Sequence, residues 1–134
     1  MTDPLPIPPP RTRDDRVIAI AVYVLYIAGL VNGITVLVGV IMAYALKSGA
    51  SEPYLSHFIF QIRSFWLSIG LALLGGLLIS IGIPLLLVGI GALLIGLGWL
   101  ILAALWIWFL VRSVIGLVTL YRGDAYPRPR AWIV

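Results

Sequence analysis

Residues 64–111 read SFWLSIGLALLGGLLISIGIPLLLVGIGALLIGLGWLILAALWIWFLV and contain no charged side chain. A helix rises about 1.5 Å per residue, so these forty-eight residues would extend about 72 Å in one helix. The hydrocarbon core of a bilayer is only about 30 Å thick. The stretch therefore predicts two full-length membrane-crossing helices. We expect the turn between them at 82–84, where glycine and proline form the only helix-breaking pair near the middle.

The composition of the whole chain also predicts an integral membrane protein of the all-α class. Of its 134 residues, 62% are hydrophobic and 10% are charged, and the mean hydropathy is +1.13. Soluble domains average about 45–50% apolar and about 25% charged residues. A single domain of this size cannot bury such an excess of apolar surface, so lipid must cover the remainder. The chain contains no cysteine, which excludes disulfides and thiolate chemistry.

The first half of the chain contains a polar tail and a second apolar segment. Residues 1–16 (MTDPLPIPPPRTRDDR) are rich in proline and charge, so we expect a disordered tail. Residues 17–46 carry no formal charge. One helix over this segment would extend about 45 Å, which exceeds the hydrocarbon core. A break at Asn32-Gly33, a turn-forming dipeptide, would instead give a short hairpin with arms of about 20–23 Å.

A polar connector, residues 47–63 (KSGASEPYLSHFIFQIR), joins the two apolar segments. On a helix from Pro53, one side is apolar and the other polar, which predicts an amphipathic helix lying in the membrane interface. The apolar side holds Leu55, Phe58, Ile59, Ile62, Phe65 and Trp66, and the polar side holds Ser56, His57, Gln61, Arg63 and Ser64. The membrane domain then comprises residues 17–122, and residues 123–134 form a C-terminal tail.

The distribution of basic residues predicts the orientation. A hairpin at 64–111 places the connector and the chain after Arg112 on one side, together with six of the nine Lys and Arg residues. By the positive-inside rule that side is cytoplasmic. If residues 17–46 break at Asn32-Gly33, all nine basic residues share that side, and both tails are cytoplasmic. Charge thus favours the break, whereas the short helices disfavour it. We favour the broken form.

Three polar residues form the candidate site: His57, Gln61 and Arg63, all at the predicted interface. Histidine and glutamine offer directed hydrogen bonds, so the site could pin the connector helix to the ends of the hairpin helices, or it could contact a ligand or partner. Arg63 and Arg112 bracket the charge-free stretch and are candidate contacts for lipid phosphates. The alternative for this pair is ordinary anchoring by side chains that reach the interface.

A ridge of small residues, the candidate helix-packing ridge, recurs at every fourth position of the first hairpin helix: Ser64, Ser68, Ala72, Gly76 and Ser80. Small residues let membrane helices approach closely. The ridge could pack the hairpin against its own second helix, or it could dock a partner helix or a second copy.

The sequence indicates no catalytic, cofactor or metal site. All five acidic residues lie outside the apolar segments, and there is one histidine and no metal-binding or nucleophile motif. The pI near 9.9 reflects residues that flank apolar segments. We therefore expect no nucleic-acid partner.

The string from Ala43 to Trp66, AYALKSGASEPYLSHFIFQIRSFW, contains the pattern SH-x3-Q-x-R-x-FW. With the segment Trp106–Trp132, it resembles a family of small bacterial inner-membrane proteins. That family is distantly similar to the Tic-type protein of the chloroplast import channel, with which it shares His57 and Gln61. The resemblance covers nearly all of residues 17–132. It implies a helical bundle with both termini on one side, and it implies no particular activity.

These observations favour a non-enzymatic scaffold, assembly factor or translocation accessory in a bacterial inner membrane. Lipids, a second copy or another membrane protein are the expected partners. The alternative is a passive channel or small-solute carrier built by oligomerisation. Polar residues along one helix face would favour the carrier, and the long apolar arms contain few of them.

Overall fold

The computed structural model describes residues 12–133, with side chains from residue 15 onward. The described chain is helical, as predicted, and consists of α1 (Thr12–Asn32), α2 (Ile34–Lys47), α3 (Tyr54–Leu85), a short 3₁₀ turn (Leu86–Val88) and α4 (Gly91–Tyr121). By length and composition, α1, α3 and α4 can each cross a membrane, whereas α2 is shorter.

The predicted break at Asn32-Gly33 is confirmed. Gly33 separates α1 from α2 with φ +72°, a backbone conformation that L side chains rarely adopt. The amide and hydroxyl of Thr35 reach back across the turn, and the hydroxyl donates to the carbonyl oxygen of Leu25 at 2.9 Å. The two helices pack closely, because a Cβ atom on Gly39 would lie 2.9 Å from the Tyr26 ring.

The helix α1 begins earlier than expected. Residues 12–16 belong to its first turns and not to the predicted tail. Asp15 stands there near the N-terminus of the helix, where the macrodipole favours negative charge. The Arg16 guanidinium donates to the carbonyl oxygen of Tyr121 at 3.1 Å, which ties the start of α1 to the end of α4. The rest of the predicted tail, 1–11, lies outside the described residues.

The prediction of a separate interfacial helix is wrong. The helix α3 runs without interruption from Tyr54 to Leu85, so the connector helix and the first hairpin arm are one element. Its first turns do alternate between polar and apolar sides. However, Ser56, His57 and Gln61 face the protein interior and are buried, so they do not face the headgroups.

The turn of the second hairpin lies a few residues beyond the predicted 82–84. Pro84 is accommodated within the last turn of α3, and the chain reverses through the 3₁₀ turn and Gly89, which has φ +83°. Gly82 instead serves close packing, because a Cβ atom there would lie 2.9 Å from the carbonyl oxygen of Gly91. Proline removes one hydrogen bond of the last turn but does not itself reverse the chain, and the reversal follows at Gly89 with its positive φ.

The four helices form a base, from which one hairpin projects. Trp106 donates its indole N–H to the carbonyl oxygen of Leu30 at 3.3 Å, so the α1–α2 turn lies beside Trp106. Beyond that point α3 and α4 are the only described helices that continue, for about fifteen residues or about 22 Å. We call residues 69–105 the apolar arm. Only 11% of the residues in the most apolar windows of α3 and α4 are buried in the protein, so the arm requires an apolar surrounding.

Candidate functional site

His57 occupies the centre of a polar cluster within the base and has no exposed surface. Its Nε2 lies 2.8 Å from the carbonyl oxygen of Asp124, and its Nδ1 lies 3.0 Å from the hydroxyl of Tyr23. A carbonyl oxygen only accepts, so Nε2 carries the proton and donates. In the neutral imidazole, Nδ1 then accepts from the Tyr23 hydroxyl. The two partners thus favour one tautomer of that neutral ring, and neither nitrogen is free for a ligand.

Gln61 lies one turn further along α3 and connects that helix to α1. Its side-chain amide donates to the backbone carbonyl oxygen of Ala19 at 3.0 Å. The Tyr26 hydroxyl donates to the backbone carbonyl oxygen of Gln61 at 2.9 Å. The Gln61 side chain is fully buried, and its Oε1 has no hydrogen-bond partner among the described residues. These two hydrogen bonds in opposite directions fix the register of α1 against α3.

Arg112 completes the cluster from α4 and has no exposed surface. Its Nε donates to the hydroxyl of Ser64 at 2.6 Å, and its terminal nitrogens donate to the carbonyl oxygens of Ile133 (2.6 Å) and Ala131 (2.8 Å). The guanidinium carbon also lies 4.0 Å from the centroid of the Phe60 ring. Three charge-assisted hydrogen bonds and a cation–π contact offset the cost of burying this charge.

The prediction that Arg112 contacts lipid phosphates is therefore wrong. Its donors are directed into the protein and hold the end of the chain. Arg63 points elsewhere: its side chain is partly exposed, and its guanidinium carbon lies 5.5 Å from the ring centroid of Trp132. Arg112 therefore forms hydrogen bonds inside the protein, whereas the Arg63 side chain reaches the surface.

The C-terminal segment, residues 122–133, packs against the base. The Tyr126 ring stacks on Phe60 with centroids 3.7 Å apart, and its backbone N–H donates to the hydroxyl of Ser56 at 3.0 Å. Burial raises the pKa of the Tyr126 phenol, while the nearby Arg112 guanidinium acts in the opposite direction. The segment is thus attached at three successive points: Asp124, Tyr126 and the carbonyls of 131 and 133.

Glycine makes room for the ring that binds His57. A Cβ atom on Gly116 of α4 would collide with the Tyr23 ring. Tyr23 lies on the buried stripe of α1, which consists of Asp15, Ala19, Val22, Tyr23 and Tyr26. This stripe recurs at three- and four-residue intervals, as expected for one helix face.

The outer end of the small-residue ridge does not pack the hairpin against itself. Its fourth residue, Gly76, has nothing within 4 Å of a Cβ position among the described residues, and its fifth, Ser80, is exposed. The hairpin packs instead through the neighbouring stripe, in which Gly75 faces Gly98 and Gly82 faces Gly91. Of the predicted ridge, Ser64 is buried, and its hydroxyl accepts from Arg112. Ser68 and Ser80 return their hydroxyls to the carbonyls four residues earlier in α3.

The cluster can position chain segments, but its geometry offers no free reactive group. Both His57 nitrogens and all three Arg112 nitrogens are engaged, and both side chains are sealed from solvent. Within the described part of the chain, no three His, Cys, Asp or Glu side chains are grouped as metal ligands would be. We call this arrangement the internal clasp: a buried polar cluster that connects α1, α3, α4 and the C-terminal segment by hydrogen bonds.

Sequence reasoning identified His57 and Gln61 but not most of their partners. Tyr23, Tyr126 and the carbonyls of the C-terminal segment come from distant parts of the chain. One signal was present in the sequence. Ala19, Tyr23 and Tyr26 share one face of a helix, and the two tyrosine hydroxyls in this apolar segment require hydrogen-bond partners.

No protein-family model, no curated protein and no solved structure matches this chain. The resemblance built on the SH-x3-Q-x-R-x-FW pattern therefore stays a prediction.

Proposed function

We propose that the protein is a non-enzymatic component of a membrane, acting as a scaffold, assembly factor or translocation accessory. The observation that supports this proposal is that the polar cluster makes its hydrogen bonds inside the protein. The side chains best suited to chemistry, His57 and Arg112, have no exposed surface and are hydrogen-bonded inside the base. A protein of this kind acts through its surfaces.

The apolar arm is the surface that supports a partner role. Its two helices contact each other along the narrow glycine stripe, which leaves most of their circumference outward. Leu73 and Leu93 are 68% and 76% exposed. Because lipid is as apolar as leucine, such a surface can exchange lipid for another helix at small cost when the packing fits. A second copy or another membrane protein are both suitable occupants.

The proposed location is a bacterial inner membrane, with both termini in the cytoplasm. The Arg16–Tyr121 hydrogen bond supports the shared side, because it places the start of α1 and the end of α4 at the same end of the bundle. Most basic residues of the described chain flank that end, and the positive-inside rule makes it cytoplasmic. Reporter fusions at residues 1 and 134 test this. Activity of a periplasm-only reporter at residue 1 would overturn it.

Photocrosslinking in living cells tests the proposed partner role. A photoreactive amino acid is placed at Leu73, at Leu93 and, as a buried control, at Phe58. We expect a discrete protein adduct from at least one arm position and none from the control. The adduct should persist when unrelated membrane proteins are overproduced, since specific packing excludes random neighbours.

The same variants, together with a transport assay, distinguish the scaffold from the alternative of a passive channel or small-solute carrier. Purified protein is reconstituted in vesicles that contain a trapped small solute. Lipid adducts alone at the arm, together with protein-dependent solute release, would replace the scaffold proposal by the channel. A protein adduct without release supports the scaffold.

A further inference from the structure

Three basic side chains from three separate elements line one cavity at the edge of the base. Lys47 ends α2, Arg63 lies on α3, and Arg130 belongs to the C-terminal segment. The cavity has a volume of about 270 Å³, and its remaining lining is Ile59, Ile62 and Trp66, so no acidic residue of the described part of the chain contributes. Three like charges around one space repel each other, which an anion would relieve.

The Arg63 guanidinium is held in place but not satisfied. The Trp132 ring lies 5.5 Å from its central carbon, and its Nε is buried without a hydrogen-bond partner among the described residues. A buried donor without an acceptor is destabilising. The planar fork of an arginine matches the oxygens of a phosphate, which could accept from Nε and from a terminal nitrogen together.

The position along α3 places this cavity at the membrane surface. Arg63 is the last charged residue before the charge-free stretch 64–111. One turn deeper, Trp66 donates its indole N–H to the hydroxyl of Tyr44 at 2.7 Å. Tryptophan and tyrosine concentrate at the boundary between the hydrocarbon and the headgroups. The three cations thus lie at headgroup depth.

We propose that Lys47, Arg63 and Arg130 bind the phosphate of an anionic phospholipid. The isoleucine side chains of the lining contact the glycerol backbone and the first acyl carbons of the same lipid. This site differs from the Arg63–Arg112 pair suggested by the sequence, because Arg112 faces inward. It requires only that the protein lies in a membrane, so it stands independently of any protein partner.

Spin-labelled lipids in nanodiscs of zwitterionic lipid provide the test. The immobilised fraction of spin-labelled phosphatidylglycerol is compared with that of spin-labelled phosphatidylcholine around the full chain. We expect the wild type to prefer phosphatidylglycerol. Arg63→Gln should lower this preference by about five-fold, which corresponds to about 1 kcal/mol per basic residue. No preference in the wild type would overturn the proposal.

Two further variants distinguish a defined binding site from general charge attraction. Arg63→Lys keeps the charge but removes Nε and the fork, so we expect it to lose most of the preference. Arg128→Gln removes an exposed charge that does not line the cavity and should keep most of it. If Arg63→Lys matches the wild type, or if both glutamine variants lose equally, diffuse electrostatics accounts for binding and the site is refuted.

Inorganic phosphate serves as the competitor. The proposal expects phosphate at millimolar concentration to leave the lipid preference intact at constant ionic strength, because the apolar lining contributes to lipid binding. Displacement by phosphate would show a site for the free anion and overturn the commitment to lipid. Circular dichroism of each variant checks that the helical fold is retained. If a substitution at Arg63 unfolds the protein, Lys47→Gln is measured in its place, because Lys47 lines the same cavity.

Discussion

Arg112→Met tests whether the buried arginine holds the end of the chain. Methionine keeps an unbranched apolar stem, although it is two atoms shorter, and has no donors. The substitution therefore removes the hydrogen bonds to the carbonyl oxygens of Ala131 and Ile133 and to the Ser64 hydroxyl. The anchors at Asp124 and Tyr126 are untouched. We expect residues 127–133 to detach while the four helices remain assembled.

The magnitude follows from the two hydrogen bonds that reach the C-terminal segment. A hydrogen bond to a charged group contributes about 1.5–3 kcal/mol, so the pair contributes about 3–6 kcal/mol to docking. A loss of about 3 kcal/mol shifts the ratio of docked to detached segment by about 100-fold. Overall stability changes less, because methionine also removes the desolvation cost of the buried charge.

Electron paramagnetic resonance measures the detachment directly. The chain contains no cysteine, so Ile133→Cys provides a single attachment point for a spin label, and this position is 75% exposed. We expect restricted label motion in the otherwise wild-type protein and fast motion in Arg112→Met. Arg122→Met removes the same charge from an exposed position and should keep the motion restricted. Identical spectra for Arg112→Met and the wild type would refute the clasp.

Two further substitutions probe the base and the arm. His57→Phe keeps an aromatic ring, somewhat larger than imidazole, but leaves the Tyr23 hydroxyl and the Asp124 carbonyl without their partner, so we expect a loss of about 2–4 kcal/mol in unfolding free energy. Thermal unfolding in detergent measures it, and an unchanged midpoint would show that the cluster is not structural. Gly98→Ala places a Cβ atom 2.7 Å from the carbonyl oxygen of Gly75 and should cost about 1–3 kcal/mol. Gly96→Ala meets nothing within 4 Å, and equal effects at both glycines would contradict the packing described for the arm.

The parts of the fold that depend on local chemistry could be predicted from the sequence. The charge-free stretch 64–111 gave the long hairpin, and the Asn32-Gly33 dipeptide together with the distribution of basic residues indicated the break between α1 and α2. The hairpin rests on segment length, and the break rests on a local backbone preference and on the placement of charge along the chain. The turn was misplaced because α3 ends one residue after Pro84, but the chain reverses only at Gly89, where the positive φ is found.

The errors at the site have one physical cause. Amphipathic spacing around His57 and Gln61 shows that two sides of α3 differ, but it does not show whether the polar side meets water or the interior of the protein. The answer depends on Tyr23 from α1 and on Asp124, 67 positions further along the chain. Arg112 was placed at the surface for the same reason, since two of its three acceptors are backbone carbonyls, which carry no sequence signal.

The central claim is that the polar cluster is a closed internal clasp, and the single histidine makes it directly measurable. Selective ¹⁵N labelling of histidine reports on His57 alone, because the chain contains one histidine. Nitrogen NMR of the protein in detergent should show one fixed neutral tautomer, with Nε2 protonated and Nδ1 accepting a hydrogen bond, and Tyr23→Phe should change the Nδ1 signal selectively. Averaged signals from two exchanging tautomers, unaffected by Tyr23→Phe, would show a solvent-exposed imidazole and contradict the account.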